Sequence, residues 1–265
     1  MRRIHAFEFG DLTWFPGKLR NYQTDFLQFA ADTFDLYECL LPIIKKGIES
    51  STGNTIVDIA SGSGGGLLKV AEHLTKGIPH LKIILSDYYP NTDAFKRTKA
   101  KQPNVFQYEE APVNAMDVPK YLNGFRTQFL SFHHFKPKDA KAILQNAIES
   151  NQPIGIFEAH QRDLKNIVRM LFSPIAVLLM TPLIKPFEIE RIIFTYLIPV
   201  LPLLTLWDGV VSVLRTYTIR ELKQMIYELR DNELFDWEVD VAKGKQNEIL
   251  YLLGTPVKLK ISWKM

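Results

Sequence analysis

Residues Asn54–Gly66, Asn-Thr-Ile-Val-Asp-Ile-Ala-Ser-Gly-Ser-Gly-Gly-Gly, followed by Ile83-Ile84-Leu85-Ser86-Asp87, decide how this chain folds. A β-branched apolar run breaks into a glycine loop, and a second apolar run, roughly twenty residues on, ends in a carboxylate. Glycines let the backbone turn sharply from strand into helix and approach a ligand. A carboxylate at the tip of the next strand accepts hydrogen bonds from two ribose hydroxyls. Together they read as a nucleoside cradle in an α/β fold.

The loop itself narrows the ligand. A dinucleotide fingerprint needs G-x-G-x-x-G and presents a helix N-terminus to a pyrophosphate. Gly62-Ser63-Gly64-Gly65-Gly66 fits that spacing badly, and Asp58 on the strand ahead of it suits a ligand bearing cationic groups. The arrangement resembles motif I of the class I S-adenosylmethionine (SAM) dependent methyltransferases, with Ala60 where the first glycine usually stands. Over its length the chain resembles the small-molecule type of that family, in a branch without an assigned substrate. The patterns that carry this are Ala60-Ser61-Gly62-Ser63-Gly64-Gly65, Ser86-Asp87-Tyr88-Tyr89-Pro90-Asn91, Phe132-His133-His134-Phe135 and Trp207-Asp208-Gly209. The resemblance implies SAM as cofactor, with Asp58, Ala60, Gly62 and Gly64 around it and Asp87 on the ribose beside Tyr88. It places Asn114, Ala115 and Met116 at the adenine and Ser131 at the end of the fourth strand. It implies a doubly wound, seven-stranded Rossmann-like sheet and no metal.

Composition agrees with one main domain. At 265 residues and 46% hydrophobic, the chain can bury one good core. A formal charge of +3 without a Lys/Arg cluster calls for no polyanion, so nucleic acid is not expected as a partner. The single cysteine, Cys39, suits a reducing compartment, and the start, Met1-Arg2-Arg3-Ile4-His5-Ala6-Phe7-Glu8, lacks the apolar stretch of a secretory signal. A cytoplasmic location, peripheral to the inner face of the membrane if the apolar insert described below touches lipid, is the expectation.

Beyond the cradle, strand-like and helix-like segments alternate. Helices are expected over Leu67–Thr75, Asp93–Lys101 and Ile219–Arg230, the last opened by Thr218 with Glu221 three residues on. Strands are expected over Asn104–Glu109, Arg126–Phe132, Pro153–Glu158, Phe235–Ala242 and Ile249–Thr255, the last two joined by Lys243–Asn247. Ligands of open α/β sheets lie outside the carboxyl ends of the strands. His133 and His134 follow the fourth strand, and Glu158 and His160 the fifth, so these four are the catalytic candidates. Imidazole titrates near neutral pH and can take a proton from an acceptor hydroxyl, or it can simply position the acceptor. The Asn/Asp-Pro-Pro-aromatic tetrapeptide that holds a base amino group is absent from the fourth strand's end, which argues against nucleic-acid methylation.

Met170–Ile184 and Ile192–Trp207 are uncharged, and Lys185–Arg191 between them carries four charges. Each apolar run is shorter than the roughly 20 residues that span a bilayer and contains prolines: Pro174, Pro182, Pro199 and Pro202. Three readings stay open: a lid over an apolar pocket, which is favoured; a face that dips into a membrane or joins a homodimer; and a spanning hairpin. Asp208 and Arg215 at the end of the insert are expected to pair with each other or to line the acceptor site. Ahead of the cradle, Asp11–Asp25 reads as an active-site cover, and Phe26–Ile48 has helical spacing divided or reopened by Pro42. The chain is thus expected as a helical cover over 1–50 and a SAM-binding domain over 51–265 with an insert over 164–213. It would transfer a methyl group to a small lipophilic or amphipathic acceptor, with O-methylation slightly favoured. The alternative is a non-catalytic SAM-binding or membrane-associated interaction protein of the same fold.

Overall fold

In a computed structural model that describes residues 1–64, 66–245 and 247–257, the first strand, β1 (Thr55–Ile59), sends Ile56 to one side and Val57 and Ile59 to the other. That alternation is the pleat of a strand buried on both faces. The same division holds in β5 (Ile154–Glu158), where Ile154 and Ile156 face one layer and Phe157 the other. The remaining strands are β2 (Lys82–Ser86), β3 (Phe106–Tyr108), β4 (Phe125–Phe129), β6 (Phe235–Lys243) and β7 (Glu248–Pro256). They form one seven-stranded sheet in the order β3-β2-β1-β4-β5-β7-β6. β1 to β5 are parallel, and β7 enters antiparallel between β5 and β6. The order reverses between β1 and β4, which opens a crevice at the carboxyl ends of the strands.

One face is covered by α2 (Leu41–Glu49), α3 (Leu67–Leu74) and α4 (Thr92–Lys101), through Ile44, Ile48, Leu67, Leu74 and Phe95. The other is covered by α5 (Pro137–Glu149) and α10 (Ile219–Tyr227), through Ile143, Leu144, Leu222 and Met225. The expected cap on α10 is formed in both directions: Thr218 accepts from the Glu221 N–H, and Glu221 accepts from Thr218. Each expected strand and helix is present within a few residues. The largest differences are at α10, which ends at Tyr227 rather than Arg230, and at β4, which ends at Phe129 rather than Phe132 because Phe132–His134 tightens into a 3-10 turn. Gly65 of the glycine run, Gln246 of the final hairpin turn and residues 258–265 of the expected domain lie outside the described residues.

The N-terminal cover divides in two. α1 (Gly17–Thr33) starts well ahead of Phe26, and the chain turns before α2, which Pro42 opens. α2 belongs to the sheet core, whereas α1 joins the insert in a separate apolar layer of Phe15, Tyr22, Phe26, Val177, Ile184, Leu201 and Leu204. The insert comprises α6 (Leu164–Leu171), α7 (Ser173–Met180), α8 (Ile189–Ile192), a π-helical turn Ile193–Leu197, and α9 (Val200–Arg215). Its charged bridge is mostly exposed but is pinned to α1 through Arg191 and Glu188. Arg191 is buried, donates to the Ile184 and Pro186 carbonyls and pairs with Asp25 of α1 at 3.3 Å, while Tyr22 donates to Glu188 at 2.8 Å.

Candidate active site

The cradle forms where β1 runs into α3. Asp58 is fully buried; one carboxylate oxygen accepts from the Thr127 hydroxyl at 2.7 Å and the other has no partner. Burial, with Asp87 nearby, pushes Asp58 up to about 7, although Ser61 and Thr127 hold it back. An orphaned buried carboxylate oxygen in a glycine loop suits a ligand that brings a hydrogen-bond donor or positive charge. Ala60 sits at φ 62°, the left-handed conformation that glycine adopts freely, so the backbone here has the loop shape of the motif despite the side chain. Gly62, also left-handed, donates to Asp87 at 2.8 Å, and Tyr89 donates to the other oxygen at 2.8 Å. Each oxygen of Asp87 keeps a second lone pair for a hydroxyl.

α1 lies directly over the loop. Thr24 bonds Ser63 at 2.7 Å, and a side chain on Gly62 would meet Thr24 at 3.2 Å. Gly64 is similarly close to Gln28 and Thr98. In the next loop, Val113 donates to the Asp87 carbonyl at 2.9 Å, which brings Asn114, Ala115 and Met116 beside the ribose acid. Asn114 is exposed and its carbonyl oxygen accepts from the Met116 N–H at 3.0 Å, leaving its NH₂ for an adenine edge. Tyr88 is exposed, and Ser131 is buried with an unpartnered hydroxyl at the end of β4.

The four catalytic candidates converge as expected from adjacent strand ends. Both oxygens of Glu158 meet His133 Nδ1, at 2.9 and 3.1 Å, and one also accepts the His133 N–H at 3.0 Å. The His133 ring stands 4.4 Å from that of His134 and 5.2 Å from that of His160, whose Nδ1 bonds the Thr216 hydroxyl at 2.8 Å. Burial alone would push His133 down, but Glu158 and Glu8 on either side raise it to about 10. Burial and the neighbouring His133 lower His160 to about 4. Burial also works against charge on Glu8, but the histidines and Arg215 hold it well below the usual carboxylate range.

Glu8 and Asp11 were not singled out by the sequence. They lie on an N-terminal strap, residues 1–12, and reach the cluster from the opposite side. Glu8 stands 3.6 Å from both His133 Nε2 and His134 Nε2, and Asp11 bonds His134 Nδ1 at 2.6 Å. Arg215 and Asp208 do not pair. Seven residues apart on α9, they share a face but stand two turns, about 10 Å, apart. Arg215 pairs with Glu8 at 3.0 Å and Asp11 at 2.6 Å, whereas Asp208 accepts from the Phe9 N–H and the Gln23 amide, each at 2.9 Å. Each anchors a different part of the cover. The signal in the sequence is three acids, Glu8, Asp11 and Asp208, and one arginine, Arg215, close to apolar residues, which demand partners without naming them.

The strand order, the glycine turn after β1 and the acid after β2 define the fold of the class I SAM-dependent methyltransferases. Among solved structures, the chain is similar to the mitomycin 7-O-methyltransferase MmcR, with a TM-score of 0.53, 13% identity and coverage of 95% of this chain and 61% of that one. It is also similar to the plantazolicin methyltransferase BpumL in complex with a monoazolic desmethylPZN analog and SAH, at 0.50 and 14%, covering 91% and 88%. The pyocyanin biosynthetic protein PhzM aligns at 0.50 and 12%, covering 85% and 56%. No protein-family model matches the sequence. No curated protein matches it either.

Proposed function

We propose that this protein transfers a methyl group from SAM to a small lipophilic acceptor that it takes from a membrane surface. The observation that carries the transfer reading is the cradle: Asp58 with an unsatisfied oxygen, the left-handed turn through Ala60 and Gly62, and Asp87 fixed by two backbone N–H groups, all at the switch point of the sheet. Asp87 holds the ribose, Asn114 to Met116 the adenine, and Ser131 the side nearer the acceptor. His133, His134, Glu158 and His160 line the transfer end. A thioether leaving group needs no acid catalyst, so the work of these residues is to hold the acceptor in line and to keep water out.

The lipid reading rests on the insert. α6 and α7 run on as a helix over Leu164–Leu183, 20 residues with a mean hydropathy of 1.6, and only 17% of that apolar window is buried. Ile175, Leu178 and Leu197 are 53%, 37% and 77% exposed, whereas Leu201 is buried. A lid closed over a pocket would bury the first three; a face lying in the headgroup region leaves them out. Lys165 and Lys185 stand exposed at the two ends of the helix. A spanning hairpin would need α9 as its return, but α9 is packed against α1 and α7 and carries buried Asp208 and Arg215. An open apolar cleft of about 360 Å³ lies between α9 and the strap, lined by Phe7, Phe9, Val200, Leu203, Leu204 and Trp207. The cytoplasmic leaflet is the surface we assign.

The test uses SAM labelled in its methyl group, incubated with the protein and vesicles of total bacterial lipid. Label in the organic phase with matching formation of S-adenosylhomocysteine supports the reading. SAM binding without any turnover leaves the non-catalytic alternative, and preference for NAD overturns the cradle assignment.

A further inference from the structure

Two imidazoles and one carboxylate converge on a single point between the sheet and the strap, and the arrangement is that of a metal site. His133 Nε2 and His134 Nε2 face Glu8 from two directions, one 3.6 Å from Oε1 and the other 3.6 Å from Oε2. All three ligand atoms lie within 4.8 Å of one another. Ligands held at about 2.1 Å from a tetrahedral ion stand about 3.4 Å apart, so the spacing leaves room for an ion and little else. His133 is 2% exposed and its Nε2 has no hydrogen-bond partner.

The far nitrogen of each ring explains the direction of the near one. His133 Nδ1 is held by Glu158 at 2.9 Å and His134 Nδ1 by Asp11 at 2.6 Å. With Nδ1–H donated outward to a carboxylate, each Nε2 turns a lone pair toward Glu8, which is also an acceptor. A cation between them meets both lone pairs and the carboxylate at once, where a proton on His133 Nε2 would meet only one ring and Glu8. Carboxylate–imidazole pairs behind each ligand are what metal-bound histidines use to fix tautomer and basicity. The local charge asks for the same solution. Glu8, Asp11 and Glu158 bring three negative charges, and Arg215 is the guanidinium that pairs with two of them. With both imidazoles neutral, as metal ligands must be, two negative charges are left, and one divalent ion, displacing the proton of His133, balances them. Arg215 lies on Glu8 Oε1 at 3.0 Å, so Oε2 remains for the ion.

We propose that Glu8, His133 Nε2 and His134 Nε2 bind a divalent first-row transition ion of the zinc or ferrous class, with Asp11 and Glu158 orienting the imidazoles. Two nitrogens and one carboxylate favour such ions over magnesium or calcium. Three protein ligands leave coordination positions free, and the ligand class they take is an anionic oxygen such as an enolate, phenolate or carboxylate. The overlapping group His133, Glu158 and His160 is the weaker arrangement, because both Glu158 oxygens already hold His133 and His160 Nδ1 holds Thr216. The inference deepens the transfer reading by naming what would hold the acceptor, but the site itself does not depend on that reading.

The experiment strips the untagged full-length chain with a chelator and titrates it with Co²⁺, following visible absorption, with Zn²⁺ as competitor. The expected result is about one Co²⁺ per chain, displaced by Zn²⁺. Uptake is lost in His133→Ala, Glu8→Gln and His134→Ala, and weakened about 10- to 100-fold in Glu158→Gln. The His134 side chain is only part-buried, so His134→Ala keeps the test open should the buried variants fail to fold. No stoichiometric uptake by the wild-type chain, or undiminished uptake in folded His134→Ala, overturns the proposal and leaves a proton-bridged structural cluster. Calorimetry with SAM on the same samples separates the two readings: SAM binding without Co²⁺ sinks the metal site alone, and Co²⁺ binding without SAM sinks the cradle alone.

Discussion

At the scale of single residues, the two acids of the cradle do different things. Asp87 gathers the N–H groups of Gly62 and Tyr89, so Asp87→Ala strands two donors as well as two ribose hydroxyls. Unpaired groups of this kind cost about 1–3 kcal/mol each, and calorimetry should show SAM affinity reduced tenfold or more, at about 1.4 kcal/mol per tenfold. Asp58 is the costly residue of the pair. Folded, it keeps its proton to about pH 7; unfolded, it releases it near the ordinary value of 3.8. Between those values the folded state binds more protons than the unfolded one, so stability falls as pH rises through the window. Urea midpoints measured at either end of it should therefore converge in Asp58→Asn relative to wild type. Midpoints that diverge equally in both proteins would show that Asp58 carries no such penalty.

At the scale of elements, local rules of sequence were sufficient wherever an element's signal lies within itself. The Thr218–Glu221 box starts α10 where expected, and Thr218→Ala should lower stability by about 1 kcal/mol in urea unfolding. The join between β1 and α3 is different, because its geometry belongs to two elements at once. Gly66 has φ 75°, and a Cβ there would stand 2.5 Å from the Ala31 Cβ of α1 and 3.0 Å from Tyr37. Gly66→Ala should cost more than the 1 kcal/mol or so of the left-handed backbone alone, since α1 must lift from the loop. A circular-dichroism melt unchanged from wild type would refute that contact. β4 ends short of its expected bound for a related reason: Ser131-Phe132-His133 alternates like strand, but Glu158 draws in the His133 N–H and ends the ladder.

At the scale of the whole molecule, the insert and α1 form a layer with its own small core and an outer face left apolar. Burying one leucine in an apolar phase is worth about 1.5–3 kcal/mol. Leu179→Asp and Leu197→Asp, both on that outer face, should each cut partition onto anionic liposomes by about tenfold or more while leaving the SAM affinity and melting temperature unchanged. Equal liposome binding in wild type and both variants, together with a shift from dimer to monomer on substitution, would assign the face to a second copy of the chain instead.

The sequence by itself determined the sheet, the cradle and the convergence of His133, His134, Glu158 and His160. Each follows from short-range patterns: alternation of apolar residues, glycines at a turn, and polar residues placed just past strand ends of a parallel sheet. Only the tertiary structure decided that Glu8 and Asp11 complete that cluster, that Arg215 answers them rather than Asp208, and that the insert turns Leu179, Leu183 and Leu197 outward while burying Leu201 and Leu204. The ion pairs among them join residues 123 to 207 positions apart. Charge and hydropathy state that such residues need partners or a phase to enter; which partner is reached depends on how α1, α9 and the strap pack, and no local period encodes that.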